Sequence, residues 1–438
     1  MANRYGWSAI LVLAAQGLPS LASAQAPSSP GAETAPPPEP PTEAPSSPAP
    51  PPPPPPAAEP TPPPPPPAST AMLPVASPLR IEGKDGSIRL GLLLQPTYEA
   101  LGSATADGLN NNLYLRRTRF MVGGTLFGHF EYFVETDYPN LFKANAEGMK
   151  QSPGLNIQDA FATYKPLADQ IKLDAGFMLP PLAHNALQGA TTLYSWDYFS
   201  NSFRSSDVFH SLTPSPVGRD LGAQLRGLLL DGHVEYRVGM FQGLRNAPVA
   251  AMAPANAQVG GQNFFRVAAR VQINLLDPET GFFYNGTYLG AKRILSVGGS
   301  YDFQDNYKYW AVDAFLDMPL GPGVVTAQVN VAQWDGGTFI TPVAPATAIP
   351  LPKQTAIMAE AGYLIAPIMF SPIVRFENRT YASSPTAPPP DETRYCGGVA
   401  FWPFGHNSNV KAFYTRIEPG SPDHGYNQFD LQWQLFFY

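Results

Sequence analysis

The sequence holds one cysteine, Cys396, in 438 residues. A lone thiol forms no internal disulfide, so backbone pairing and burial must hold the chain together. Charge is also scarce, at 14% of residues, and leans acidic, with a formal net charge of −7. No basic stripe is available to neutralise phosphates, which argues against a nucleic-acid partner. No stretch approaches the ~20 consecutive apolar residues of a membrane helix, so a place in a membrane requires strands. Histidine is rare too. His129, His184, His210, His233, His406 and His424 fall mostly at turns or in loops, and none sits in a nucleophile motif. No metal-ligand spacing or phosphate-cradling glycine loop stands out. An outer-membrane hydrolase is thus disfavoured; neither catalytic residues nor a cofactor or metal is expected.

What the chain has in excess is proline, 52 residues, unevenly spread. Residues 1–24 read as a secretory signal peptide. Arg4 supplies the positive region, Trp7–Ala15 a short apolar core, and Leu21-Ala22-Ser23-Ala24 a cleavage site before Gln25. Residues 25–79 form a proline-rich disordered linker with uninterrupted runs at Pro50–Pro56 and Pro62–Pro67. Such a segment buries too little apolar surface to offset its ordering entropy. Extended polyproline II at about 3.1 Å per residue lets it reach about 170 Å at most. It is either a periplasmic spacer that contacts the cell wall or a tether with no partner.

From residue 80 to 438 the pattern changes to strands. The last segment, YNQFDLQWQLFFY (426–438), sets Phe429, Leu431, Trp433, Leu435 and Phe437 on one parity. Gln428, Asp430, Gln432 and Gln434 lie on the other. A secreted β-sandwich strand has the same alternation, but an aromatic-ended terminal strand better suits an outer-membrane barrel. Similar segments recur at 87–101, 113–124, 130–138, 156–165, 170–179, 220–230, 233–241, 264–275, 292–303, 307–318, 323–334, 355–365, 370–381, 393–402 and 409–417. Turn chemistry separates them, with Asn110-Asn111-Asn112, Phe127-Gly128-His129, Asp231-Gly232 and Gln304-Asp305-Asn306 as turns. The expected fold class is all-β, a transmembrane antiparallel β-barrel of about sixteen strands, wide enough for a water-filled lumen. The longest irregular insertion is 180–218.

A charge against lipid costs up to ~2–4 kcal/mol at mid-depth, so the charged parity should face the lumen. This makes Arg89, Arg117, Arg119, Lys172, Arg226, Arg237, Arg266, Arg270, Arg375, Arg394 and Lys411 pore-lining candidates. Glu131, Glu135, Asp174, Glu235, Asp302, Asp313, Asp317, Glu360, Glu377 and Asp430 fall on the same face. Arg116, Arg117 and Arg119 are crowded together, with Tyr114 and Phe120 nearby, and the exact parity there stays open. Each of these charges is either a source of local field or a cross-paired wall residue. Near-balance of sign implies a modest summed field.

Several stretches together resemble the phosphate-selective porin O and P family of Gram-negative outer membranes. They are LYLRRTRFMVGGTLFGHFEYFVETDY (113–138), IQDAFATYKP (157–166), IKLDAGFMLPPL (171–182), GRDLGAQLRG (218–227), YRVGMFQG (236–243) and GHNSNVKAFYT (405–415). The resemblance implies a sixteen-stranded homotrimeric porin in the outer membrane, with the linker in the periplasm. It also implies a loop after the fifth strand folded inward as a constriction, here 180–218. That loop adds Arg204 to the lining candidates, with His184, Asp197, Asp207 and His210, and Arg219 and Asp220 at its exit. Lysines are few, and the connection at 304–306 is too short for a second inward loop. Phosphate preference is therefore not expected to be strong. The functional expectation is passive diffusion of small polar solutes or anions, with outer-membrane lipid around the barrel. The alternative is a mainly structural barrel whose proline arm ties the membrane to cell wall or a periplasmic partner.

Overall fold

A computed structural model describes residues 79–438 apart from 104–107, 145–147, 151, 153, 199–218, 244–264, 280–285, 305–306, 336–337, 341–347, 351–352, 383–390 and 421–423. The signal peptide expected at 1–24 and all but Leu79 of the linker expected at 25–79 lie outside the described residues. The chain divides into two units, Met1–Pro64 and Pro65–Tyr438, and everything described belongs to the second.

Sixteen long strands follow one another: β1 (Gly86–Leu101), β2 (Asn110–Leu126), β3 (Phe130–Asp137), β4 (Asn156–Leu167), β5 (Ile171–Met178), β6 (Asp220–Leu229), β7 (Val234–Phe241) and β8 (Arg266–Asn274). The second half comprises β9 (Ile294–Gln304), β10 (Tyr307–Leu320), β11 (Gly323–Asp335), β12 (Gln354–Ile365), β13 (Phe370–Tyr381), β14 (Glu392–Phe404), β15 (Ser408–Pro419) and β16 (Tyr426–Phe437). Each is antiparallel to the next. β16 pairs back onto β1, with Phe429 opposite Ala100 and Leu435 opposite Leu94, so the ring closes and no edge is left. A short strand, Arg80–Glu82, doubles back on β1, and Thr338–Ile340 pairs with Ala348–Pro350 between β11 and β12. Among the described residues no helix is long and apolar enough to cross a membrane. Crossing by a closed ring of strands satisfies every backbone group without one.

One turn assignment is corrected. Asn110, Asn111 and Asn112 belong to β2, opposite Leu101, Ala100 and Glu99, and the connection is 102–109. Asparagine disfavours strands in isolation, but cross-strand pairing overrides so weak a preference.

Alternation sorts the side chains. On β16, Leu431, Trp433 and Leu435 are exposed while Asp430, Gln432 and Gln434 are buried. On β10, Trp310 and Val312 are exposed while Asp313 and Asp317 are buried. The exterior is thus apolar and the interior carries the charge, as hydrocarbon outside requires. The interior is not uniformly polar, however. Trp334, Phe315, Met358, Ile373, Trp402 and Phe413 are also buried, because chain folded into the ring supplies them with apolar partners. Tyr438 points inward too, edge-on to Phe133 at 5.6 Å, with the Arg89 guanidinium 5.2 Å from its ring centroid. Gly91 and Gly123 make room for it: a Cβ at either would overlap the Tyr438 side chain.

The two rims differ. Six connections on one rim are brief, at 127–129, 168–170, 230–233, 321–322, 366–369 and 405–407. The seventh on that rim joins Asn274 to Ile294, and its described residues, 275–279 and 286–293, do not all stay outside.

Candidate functional site

Leu179–Tyr198 leaves β5 and folds into the ring. Its only helical piece is one turn, α1 (His184–Leu187), entirely buried. Wall side chains hold its backbone from several directions. The Tyr309 hydroxyl accepts from Ala183 N–H at 3.2 Å, Asp313 Oδ2 from His184 N–H at 3.1 Å and Asn330 Oδ1 from Asn185 N–H at 3.0 Å. Lys411 Nζ donates to the carbonyls of Leu193 at 2.7 Å and Ser195 at 3.0 Å. Arg375 Nη1 donates to Ser195 Oγ and to the Asp197 carbonyl, each at 2.7 Å. Gln434 Nε2 reaches the Thr191 carbonyl at 2.9 Å. Apolar burial adds to this. Leu182, Ala183 and Ala186 pack with Tyr309, Trp334 and Met358, and Leu187 and Leu193 pack with Leu93, Met121 and Phe133.

Asp197 fastens the far end. Arg116 Nε binds its Oδ2 at 2.8 Å and Arg117 Nη2 its Oδ1 at 2.6 Å. Adjacent residues reach one carboxylate because the β1–β2 register shifts between Leu94 and Pro96, where an extra residue turns both side chains to the same face. This settles the parity of Arg116. Although burial opposes ionisation, the two guanidiniums hold the Asp197 carboxyl well below the usual range.

A second infolded segment, missed from sequence, comes from the opposite rim. Glu279 is buried and its carboxylate lies 2.9 Å from His184 Nε2. Gln272 Nε2 also donates to it, at 2.8 Å. The Asp317 carboxylate accepts from the Tyr288 N–H at 2.7 Å. Thr287 N–H donates to the Thr192 carbonyl at 2.9 Å, so the two infolded segments touch directly. The short 304–306 connection is thus no bar to a second inward segment; residues 275–279 and 286–293, the described parts of another connection, enter instead.

The cations expected at the lumen all face inward where described, and nearly all have carboxylates beside them. Arg119 sits 3.0 Å from Asp137 and 3.2 Å from Glu135. Arg219 binds Asp159 at 2.8 Å, Arg226 binds Asp174 at 2.6 Å and Arg237 binds Glu235 at 2.5 Å. Arg266 pairs with Asp302 at 2.7 Å and Arg270 with Asp313 at 2.6 Å. Arg375 pairs with Glu377 at 2.6 Å, Arg394 with Glu392 at 2.7 Å and Lys172 with Asp169 at 2.6 Å. The hydrogen bond from Lys172 lowers the Asp169 carboxyl's pKa. Lys411 is bonded to loop carbonyls. Arg89 is half-buried and has no carboxylate partner among the described residues. Arg204, Asp207 and His210 lie outside the described residues. Arg89, Arg119 and Arg219 come together around a cavity of about 180 Å³, closed on its other sides by Gly189–Thr192, Phe436 and Tyr438.

A closed antiparallel ring with an apolar exterior, an ion-paired interior and an infolded loop after its fifth strand has the fold of the outer-membrane porins. A family model described as "Phosphate-selective porin O and P" matches residues 91–198, the part of the chain that builds β1–β5 and the infolded loop. The fold is similar to OmpF of Salmonella typhi, solved as a complex with daunomycin, with a TM-score of 0.54 and 14% identity over 82% of this chain and 100% of that one. It is also similar to a loop L8 deletion mutant of OmpT from Vibrio cholerae (TM-score 0.49, 12% identity, 81% and 100% covered). A third solved structure is OccK9 (OpdG) of Pseudomonas aeruginosa (TM-score 0.44, 13% identity, 81% and 100% covered). No curated protein gives a significant match.

Proposed function

We propose that the protein is an outer-membrane porin for passive diffusion of small polar solutes, with a weak preference for anions. The observation that carries this reading is the infolded loop, held by side chains from β2, β8, β10, β11, β13, β15 and β16. A barrel that served only as a wall would have no use for a constriction anchored to it from several sides. Weak anion preference follows from the pairing of most interior arginines, which cancels their long-range field and, among the described residues, leaves Arg89 and Lys411 without a carboxylate at ion-pair distance. The reading extends to a homotrimer in a Gram-negative outer membrane, with the proline tract in the periplasm, on the strength of the family resemblance.

Planar-bilayer recording tests it. Purified protein is expected to give steady open-channel steps, and with unequal salt across the bilayer the reversal potential should lie slightly toward the anion value. Replacing chloride by phosphate should change it little. Absence of steps, or a strong cation preference, would overturn the reading.

A further inference from the structure

We infer that the outer wall over β11–β15 carries a binding groove for a single phosphate-bearing lipid. The lipid-facing side of a barrel is an apolar band, but here the band is hollowed. Ala327 on β11, Ala359 and Ala361 on β12 and Gly397 on β14 line a groove of about 680 Å³, flanked by Tyr395 and Tyr414. These residues have the outward parity of their strands, which leaves Val329, Tyr395 and Tyr414 exposed. Small side chains make the hollow: a Cβ at Gly397 would meet nothing within 4 Å. Its volume is that of a small-molecule site. Register makes it continuous. Ala327 lies opposite Ala361, Ala361 opposite Val374, Val374 opposite Gly397 and Gly397 opposite Tyr414.

The neighbouring row, two residues nearer the long connections, ends with Tyr395 opposite Arg416. Arg416 gives the groove its polar end. It is the one cation on β11–β15 with outward parity; Arg375, Arg379, Arg394 and Lys411 lie on the inward one. Its Nε meets Glu418 Oε1 at 2.6 Å and its Nη1 donates to Asn427 Oδ1 at 3.1 Å. Both members of the ion pair are more than a third exposed, so the pair is weak. Nη2 has no partner among the described residues. Long connections face away from the cell in an outer-membrane barrel, which puts Arg416 at the headgroup level of the outer leaflet. An apolar trough with a guanidinium at its outer end is complementary to an anionic amphiphile. Acyl chain lies over the alanines, and phosphate takes the free edge of Arg416. This requires the outer-membrane placement but not the channel.

Native mass spectrometry of the protein in detergent tests the inference, with lipid A, its dephosphorylated form and inorganic phosphate as probes. Lipid A should be retained as a single copy per protomer. The dephosphorylated form should bind about tenfold more weakly, and so should lipid A to Arg416→Gln, since each loses the same charge-assisted contact. Inorganic phosphate should not displace the lipid. Glu418→Gln removes the competing carboxylate and should tighten binding. Gly397→Trp fills the trough and should abolish retention, whereas Val312→Trp, on the exposed face of β10, should leave it unchanged. Equal retention by the parent, Arg416→Gln and Gly397→Trp would overturn the inference and reduce the groove to ordinary lipid contact. So would Gly397→Trp splitting an oligomer with lipid A still bound, which would make a second copy the occupant. Absence of channel steps in a bilayer would sink the porin reading and leave this one standing.

Discussion

Asp197 is one carboxylate serving two guanidiniums, and Arg117 is fully buried beside it. Removing its charge strands Arg117 away from water. Asp197→Asn should therefore destabilise by about 3 kcal/mol, the low end for breaking a buried pair because Asp197 itself is partly exposed. Thermal unfolding in detergent would measure it. The same residue sets a pH limit. Its folded pKa lies below the unfolded value of about 3.9, so its contribution is complete above that value and is lost as pH falls from there through the folded pKa. His406, in the 405–407 turn, reinforces the trend at higher pH. Burial, with Lys411 nearby, pushes its pKa down to about 4. Between the unfolded value of about 6.5 and that folded value, the unfolded state binds the extra proton, so falling pH favours unfolding. Acidification should destabilise the protein in two limbs, His406→Gln removing the upper and Asp197→Asn the lower. A melting profile against pH in which neither variant lost a limb would contradict these assignments.

β10 is the element on which the interior depends. Asp313 and Asp317 lie four residues apart on one face; the first holds the loop at His184 and the second holds the turn-rim segment at Tyr288. Contact between the two infolded pieces is tight enough that Gly286→Val must push them apart, at a cost of about 1–3 kcal/mol for overpacking. A lowered melting midpoint, with strand content unchanged by circular dichroism, is the expected result. Little of this was legible beforehand. The strands were, because two-residue alternation is local: Leu431, Trp433 and Leu435 announce their face without reference to any neighbour. The ion pairs were not. Arg226 lies opposite Arg237 across β6 and β7 and takes its carboxylate from Asp174 on β5, a choice that depends on register and not on spacing. Residues 275–293 have no periodicity, and the inward placement of Thr287 and Tyr288 depends on Asp317 and Thr192, far away in the chain. One available signal was length: the other connections on that rim run two to four residues, and this one does not. The loop at 180–218 was visible as an interruption, but which wall residues would grip it was not.

At the scale of the whole molecule, the apolar exterior and closed seam mean that the barrel should remain dispersed only in detergent or lipid. Dilution below the critical micelle concentration should precipitate it, as light scattering would show. The ion-paired lining has a further electrical consequence. Opposite charges held about 3 Å apart act on a passing ion as dipoles, whose influence fades within a few ångströms, and not as a fixed space charge. Such a conduit cannot concentrate counter-ions from dilute solution. Its conductance should therefore climb in proportion to bulk electrolyte, without the plateau at low salt that a charged tube displays.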